Sequence, residues 1–351
     1  MNNILLLGAG GNAGMNFMRS IRAANAGYKF IGCDIDKYSL ASADCESKYW
    51  LPQQSPAEKL DYLNKIILRE EVNFVHAQPD REVEFLIRNA TELLAPTFPH
   101  RLHLWELFSN KLRCQQIWRD VLNLSFECQF LTDVIKTPAL FARLTRGSDK
   151  AWFRAISGAG SRAALPVSTV DQAIAWANYW VLNKGMRLEE FMLAEFLPGH
   201  EYAVQTFWVN GDLVESQARQ RLVYFFGNIM PSGQSSTPAV AVTTNERDVY
   251  DTAYRAILAI DPTPHGVYCV DLKRNTADVV IPLEVNYGRF FTTSDFFAAL
   301  GVNTPLNYLN YSLTGRLTYN IEPVKTKHFW LRGLDKVPQL ASELDISFQP
   351  I

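Results

Sequence analysis

The sequence predicts an α/β protein that turns α+β, with a doubly wound N-terminal βαβ domain followed by a mixed region and then a stretch made mostly of strands. Three observations predict it. Strand and helix signals alternate over the first hundred residues, strands predominate from Met192 onward, and Pro96 and Pro99 punctuate the join. At 351 residues the chain is long enough for two or three domains. The expected units are 1–100, 101–190 and 191–351.

Residues 4–7 are a short apolar run ending in Gly8-Ala-Gly10-Gly11-Asn-Ala-Gly14, and 15–24 have helical periodicity. A second strand, 30–34, ends in Asp34. Residues 57–70 read as a helix, 73–76 as a third strand and 82–94 as another helix, which is the pattern of a parallel sheet covered on both faces. From residue 105 to 182 the order is helix, strand, glycine loop, strand, helix. The later strands are 192–196, 201–209, 213–221 and the hairpin 267–286, with a helix at 246–260 between them. Asn210-Gly211 marks a tight hairpin turn.

Hydrophobic residues make up 48% of the chain, charged residues 20%, and the net charge is −2. These values describe a soluble globular protein and exclude a basic nucleic-acid footprint. The five cysteines, Cys33, Cys45, Cys114, Cys128 and Cys269, are scattered and form no CxxC pair, which predicts reduced thiols. The first apolar run is too short to span a membrane, and no basic segment precedes it as in a signal peptide. The expectation is a cytoplasmic protein.

The chemistry concentrates in the hairpin. Side chains alternate along a strand, so Glu284 and Asn286 share a face, and Asp271 joins them if the loop near 275–278 has an even number of residues. Two carboxylates and a carboxamide on a half-buried sheet call for a compensating cation, and an all-oxygen set suits Mg²⁺. Upstream, Arg154 and Arg162 flank Ser157-Gly158-Ala-Gly160-Ser161, a loop whose backbone N–H groups suit phosphate oxygens. Next, Glu195-Phe196-Leu197-Pro-Gly199-His200-Glu201 interrupts an apolar strand and leaves backbone groups free for a purine edge.

These segments, in this order, resemble the ATP-grasp superfamily, and within it the carboxylate–amine ligases related to the carbamoyl phosphate synthase large chain. The resemblance spans residues 1 to 300. It implies a pre-ATP-grasp N-terminal domain whose glycine turn binds no NAD, and two lobes that sandwich ATP. It also implies that Lys111, Arg154, Ser157, Gly158, Gly160 and Ser161 contact the nucleotide phosphates, that Glu195, Phe196 and Leu197 read adenine, and that Glu201 holds the ribose. Asp271, Glu284 and Asn286 would ligate Mg²⁺, two ions being expected and Mn²⁺ an acceptable substitute. Arg154 and Arg289 would be catalytic. The chain departs from the family pattern at Ala155, where a proline usually follows, and at Arg289, which is displaced by one residue.

The implied activity is ATP-dependent: a substrate carboxylate becomes an acyl phosphate, and an amine displaces the phosphate to form an amide. Candidate acceptor-site residues are His76, Asp80 and Glu82, after the third strand, with Gln234 and Ser235 from the second lobe. The aromatic run Tyr287, Phe290, Phe291, Phe296 and Phe297 reads equally as a substrate pocket or a helix core. The expected partners are a small carboxylate and an amine, with no nucleic acid and no membrane, and the resemblance implies a homodimer. Two alternatives stand beside this reading. One is a nucleotide-binding regulator or inactive relative. The other is an NAD(P)-dependent oxidoreductase built on the first glycine turn, which would leave the hairpin acids without a purpose.

Overall fold

The computed structural model describes residues 2–158, 163–235, 237–325 and 327–333, and three sheets carry the chain. β1 (Asn3–Leu7), β2 (Lys29–Asp34), β3 (Ser47–Trp50) and β4 (Phe74–Ala77) form the first, in the order β3-β2-β1-β4 and parallel throughout. Its helices start where local chemistry dictates. Ser55 and Glu58 close a capping box around the helix Pro56–Arg69, with proline at a position that needs no amide hydrogen. The glycine turn after β1 is set by packing. Gly8 has φ +76°, and a Cβ on Gly14 would collide with the Gly8 carbonyl. Asp34, the acid that a dinucleotide fold would offer to a ribose, accepts the Gly10 amide at 3.0 Å and the Asp36 amide at 3.0 Å. The turn thus consumes its own acid, which argues against the oxidoreductase alternative.

The second sheet holds β5 (Cys128–Phe130), β6 (Ala151–Ala155), β7 (Leu165–Val167) and β8 (Phe191–Glu195), antiparallel in the order β5-β8-β6-β7. Ala151, Phe153 and Ala155 of β6 enter the core beneath the helix Val170–Lys184, while Trp152 and Arg154 alternate to the opposite face.

The third sheet is the largest: β9 (Glu201–Val209), β10 (Asp212–Tyr224), β11 (Pro238–Thr243), β12 (Gly266–Arg274), β13 (Val280–Tyr287) and β14 (Phe329–Leu331), antiparallel in the order β13-β12-β9-β10-β11-β14. Asn210 and Gly211 make the expected two-residue turn between β9 and β10, both with positive φ. The period-two alternation of this sheet separates two environments. Tyr202, Val204, Ala218, Val270, Leu272 and Val285 pack against the helices Leu102–Ser109, Lys111–Val121 and Arg247–Leu258. The other face carries Glu201, Arg219, Arg221, Asp271, Lys273 and Glu284 and lines a cavity beside the second sheet. At its far end Phe207, Val267 and Phe290 join Ile4, Phe17 and Phe74 in one core that ties the first sheet to the third. The five cysteines are free thiols, and among the described residues no helix is long and apolar enough to cross a membrane.

Candidate active site

The hairpin β12–β13 places its oxygens by an unexpected route. Arg274 pairs with Val280, so the loop is residues 275–279, an odd number. Continued without interruption, that register would set Asp271 opposite Leu283 and send Glu284 to the helix side. A bulge intervenes: Leu272 faces Pro282, Leu283 is the extra residue, and Asp271 faces Glu284 directly. The even-loop condition posed by the sequence is not met, yet its consequence is. Pro282 is tolerated because β13 is the outer strand of the sheet. Two pairs further along, Asn286 faces Cys269, and all three oxygen-bearing residues line the same cavity of about 150 Å³.

Cations converge on these acids. Glu284 pairs with Arg154, and Lys111 Nζ lies 3.7 Å from it. Burial alone would raise the Glu284 carboxyl, but Arg154 and Lys111 outweigh it and hold the group below its ordinary value. Asp271 goes the other way. Burial pushes its carboxyl up despite Arg221 at 2.6 Å, and the neighbouring Glu284 and Glu201 add to the rise. Two facing carboxyls are thus driven apart in proton affinity by what surrounds each.

Lys111 opens the helix Lys111–Val121, where burial lowers its pKa, and donates to the Gly158 carbonyl at 2.6 Å. Lys111, Ser157 and Gly158 line a second cavity, which shares Glu284 and Asn286 with the first. Gly160, Ser161 and Arg162 lie outside the described residues. Arg154 lines the first cavity together with Glu195, Phe196 and Leu197. Among the described residues no backbone hydrogen bond engages the Phe196 or Leu197 amides, so this strand exit keeps main-chain groups available to a ligand edge. Glu201 opens β9 and is heavily engaged, accepting from Arg221 at 2.8 Å, from Gln234 at 2.9 Å and from the Tyr224 hydroxyl. Gln234 and Ser235 line the same cavity.

The displaced Arg289 still reaches the hairpin. Gly288 takes φ +82°, a conformation open to glycine, and a Cβ there would sit 3.0 Å from Val83 and 3.1 Å from the His100 ring. This left-handed step absorbs the extra residue. Arg289 then donates to Asn286 Oδ1 and pairs with Asp80 at 2.5 Å.

The acceptor candidates divide. Asp80 lines the second cavity. His76 and Glu82 line neither. His76 is 2% exposed, stacks on Phe17 and meets Phe290 and Tyr308 edge-on, and burial lowers its pKa to about 3, so it is a neutral core group. Glu82 is held by Lys59. The aromatic run also splits, with Phe290 and Phe291 lining the cavity while Phe296 and Phe297 are buried and stack on each other.

No protein-family model matches the sequence, and no curated protein matches it. The fold does match solved structures. An L-amino acid ligase from Bacillus licheniformis superposes with a TM-score of 0.62 at 13% identity, covering 90% of this chain and 74% of that one. The biotin carboxylase domain of Hydrogenobacter thermophilus 2-oxoglutarate carboxylase, solved with MgADP, ADP and bicarbonate, gives 0.67 at 15% identity, covering 91% and 71%. A carboxyaminoimidazole ribonucleotide synthase from Aspergillus clavatus, solved with ATP, gives 0.63 at 14%, covering 93% and 81%. This is the ATP-grasp fold. The N-terminal parallel sheet and the two antiparallel sheets with the cavity between them take that arrangement.

Sequence reasoning missed several residues that line the first cavity: Arg219, Arg221, Tyr224, Lys273 and Trp152. A weak signal existed for two of them. Glu215, Gln217, Arg219 and Arg221 recur at a spacing of two and share one face of β10, but Ser216 and Gln220 on the other face are polar too, and only Ala218 between them joins the core.

Proposed function

We propose that this chain is an ATP-dependent carboxylate–amine ligase that works in the cavity between the second and third sheets. The observation that carries the reading is the hairpin face itself. Asp271, Glu284 and Asn286 line one cavity together with the strand exit Glu195–Phe196–Leu197. In this reading that exit takes the adenine edge, Glu201 lies toward the ribose, and Arg154, Lys111 and Gly158 face the phosphates. Arg154 and Arg221 pair with Glu284 and Asp271. A triphosphate offers those arginines stronger, bidentate partners and frees the carboxylates.

The donor set fits Mg²⁺. Two carboxylates and a carboxamide are hard oxygen ligands, and the raised Asp271 carboxyl beside two other acids is a charge that a cation would relieve. Among the described residues no group of three or more His, Cys, Asp or Glu side chains is arranged to hold a metal ion by itself. Asp271, Glu284 and Asn286 would hold it, and bound Mg²⁺ would neutralise charge on the transferring phosphoryl group. Arg154 and Arg289 would steady the same charge from the protein side. The substrate carboxylate attacks the γ-phosphorus, ADP departs, and an amine then displaces phosphate from the acyl phosphate to give the amide. Homodimer formation is part of the same proposal, by analogy with the Hydrogenobacter domain, which was solved as a dimer.

The test is ADP formation on paired mixtures of small carboxylates and amines. Wild type should turn over with at least one pair and need a divalent cation. Glu284→Ala and Asn286→Ala should each lower the rate by about 10²–10³, and either variant keeping full ATP-dependent turnover would contradict the assignment.

A further inference from the structure

One guanidinium in the cavity forms no ion pair among the described residues. Arg154 pairs with Glu284, Arg221 with Glu201 and Asp271, and Arg289 with Asp80. Arg219 lines the same cavity on β10, is 1% exposed, and leaves Nε and Nη1 without a hydrogen-bond partner among the described residues. Its guanidinium carbon sits 4.3 Å over the ring of Phe291, so the aromatic face fixes the plane of the fork. Two further buried polar atoms, on residues next to Phe291 in space or in sequence, have no hydrogen-bond partner among the described residues. Gln205 Nε2 belongs to a side chain whose Oε1 accepts the Phe291 amide at 2.9 Å, and Thr292 Oγ1 is on the next residue. Burial draws the Arg219 pKa down to about 9, which leaves it charged at neutral pH.

A buried, charged fork costs several kcal/mol when unpaired, so one that lines a cavity calls for a ligand of opposite charge. Register places the group within the site. Asp271 and Arg219 both face Ala203, one from β12 and one from β10, so their Cα atoms lie about 10 Å apart across two strand spacings. From the reading of this cavity as a ligase site, we propose that Arg219, stacked on Phe291 in a cavity that Thr292 also lines, is the anchor for a carboxylate of the substrate. A guanidinium with no ion pair, each of whose two edges presents parallel N–H donors (Nε with Nη2, Nη1 with Nη2), matches the two oxygens of a carboxylate. It is a specificity residue, set apart from the hairpin, and it demands an acid where the rest of the cavity would accept an amide.

Binding and stability together test this. Wild type, Arg219→Met and Arg219→Lys are titrated calorimetrically with the non-hydrolysable nucleotide AMP-PNP plus MgCl₂. Each protein is then titrated with L-amino acids, their carboxamides, and small mono- and dicarboxylates, with and without that nucleotide. At least one acid should bind wild type while its carboxamide does not. Arg219→Met should weaken that acid by at least about 30-fold, leave AMP-PNP affinity within about twofold, and melt at or above wild type without ligand, because it removes an uncompensated buried charge. Arg219→Lys should keep part of the affinity. The proposal is overturned if no acid binds wild type, if carboxamides bind as well as acids, if Arg219→Met loses AMP-PNP instead, or if it melts well below wild type, the mark of a structural arginine. Failure of wild type to bind AMP-PNP would instead strike the ligase reading, while the carboxylate titrations without nucleotide still decide the role of Arg219.

Discussion

Glu215 should make the stability of this protein depend on pH in the direction opposite to that of an ordinary acid. The side chain sits on β10, 2% exposed, accepts from Asn307 at 3.0 Å, and has no cation paired with it among the described residues. Burial raises its pKa from 4.5 to about 7, outweighing the hydrogen bonds from Asn307 and Thr304. A group whose pKa is higher in the folded chain gives stability that is complete below 4.5 and is lost as the pH climbs through about 7. That interval, at about 1.4 kcal/mol per factor of ten in proton affinity, comes to about 3 kcal/mol. Glu215→Gln keeps the acceptor for Asn307 and removes the titration. Urea unfolding followed by circular dichroism should find the two proteins alike at pH 4.5. By pH 8 the variant should be more stable by about 3 kcal/mol. Parallel curves for the two proteins across this range would refute the assignment of a buried, unpaired carboxyl.

Four other outcomes follow from named contacts. Gly288→Ala forces a side chain into φ +82° against Val83 and His100, so it should cost about 1–3 kcal/mol and reduce ADP formation by moving Arg289; denaturant midpoints and turnover measure both. Arg221→Met leaves Glu201 and Asp271 without their shared cation and should destabilise by about 3–5 kcal/mol, visible in thermal melts at low divalent ion. His76→Phe should leave turnover and its pH profile unchanged, because the neutral ring is packed among Phe17, Phe290 and Tyr308 and lines neither cavity. Titration with NADH should give no fluorescence enhancement, since the glycine turn engages Asp34 for itself.

The strands and helices legible in the sequence were those with strong periodicity. Glu201–Val209 has the expected bounds, and Val170–Lys184 and Arg247–Leu258 match to within a few residues. Short edge elements were not legible: Ser47–Trp50 and Cys128–Phe130 have only four and three residues and take their conformation from the neighbouring strand. The hairpin oxygens could be read because alternation fixes a face for residues two apart, although no local pattern disclosed the bulge at Leu283. His76 misled because a strand-end histidine in an α/β sheet looks the same whether a ligand or three aromatic rings surround it. Arg219 was passed over because its meaning lies in the absence of a partner, and partners come from strands distant in the sequence.

The additional residue in β13 acts as a frame correction. An odd turn and one unpaired residue together restore an even count between the two halves of the hairpin, so the two irregularities must be inherited as a unit. Trimming the turn alone, or smoothing the strand alone, would rotate Asp271 and Glu284 to opposite sides without altering either side chain. Anyone transplanting this triad into another scaffold has to carry Leu283 along with the three oxygen donors.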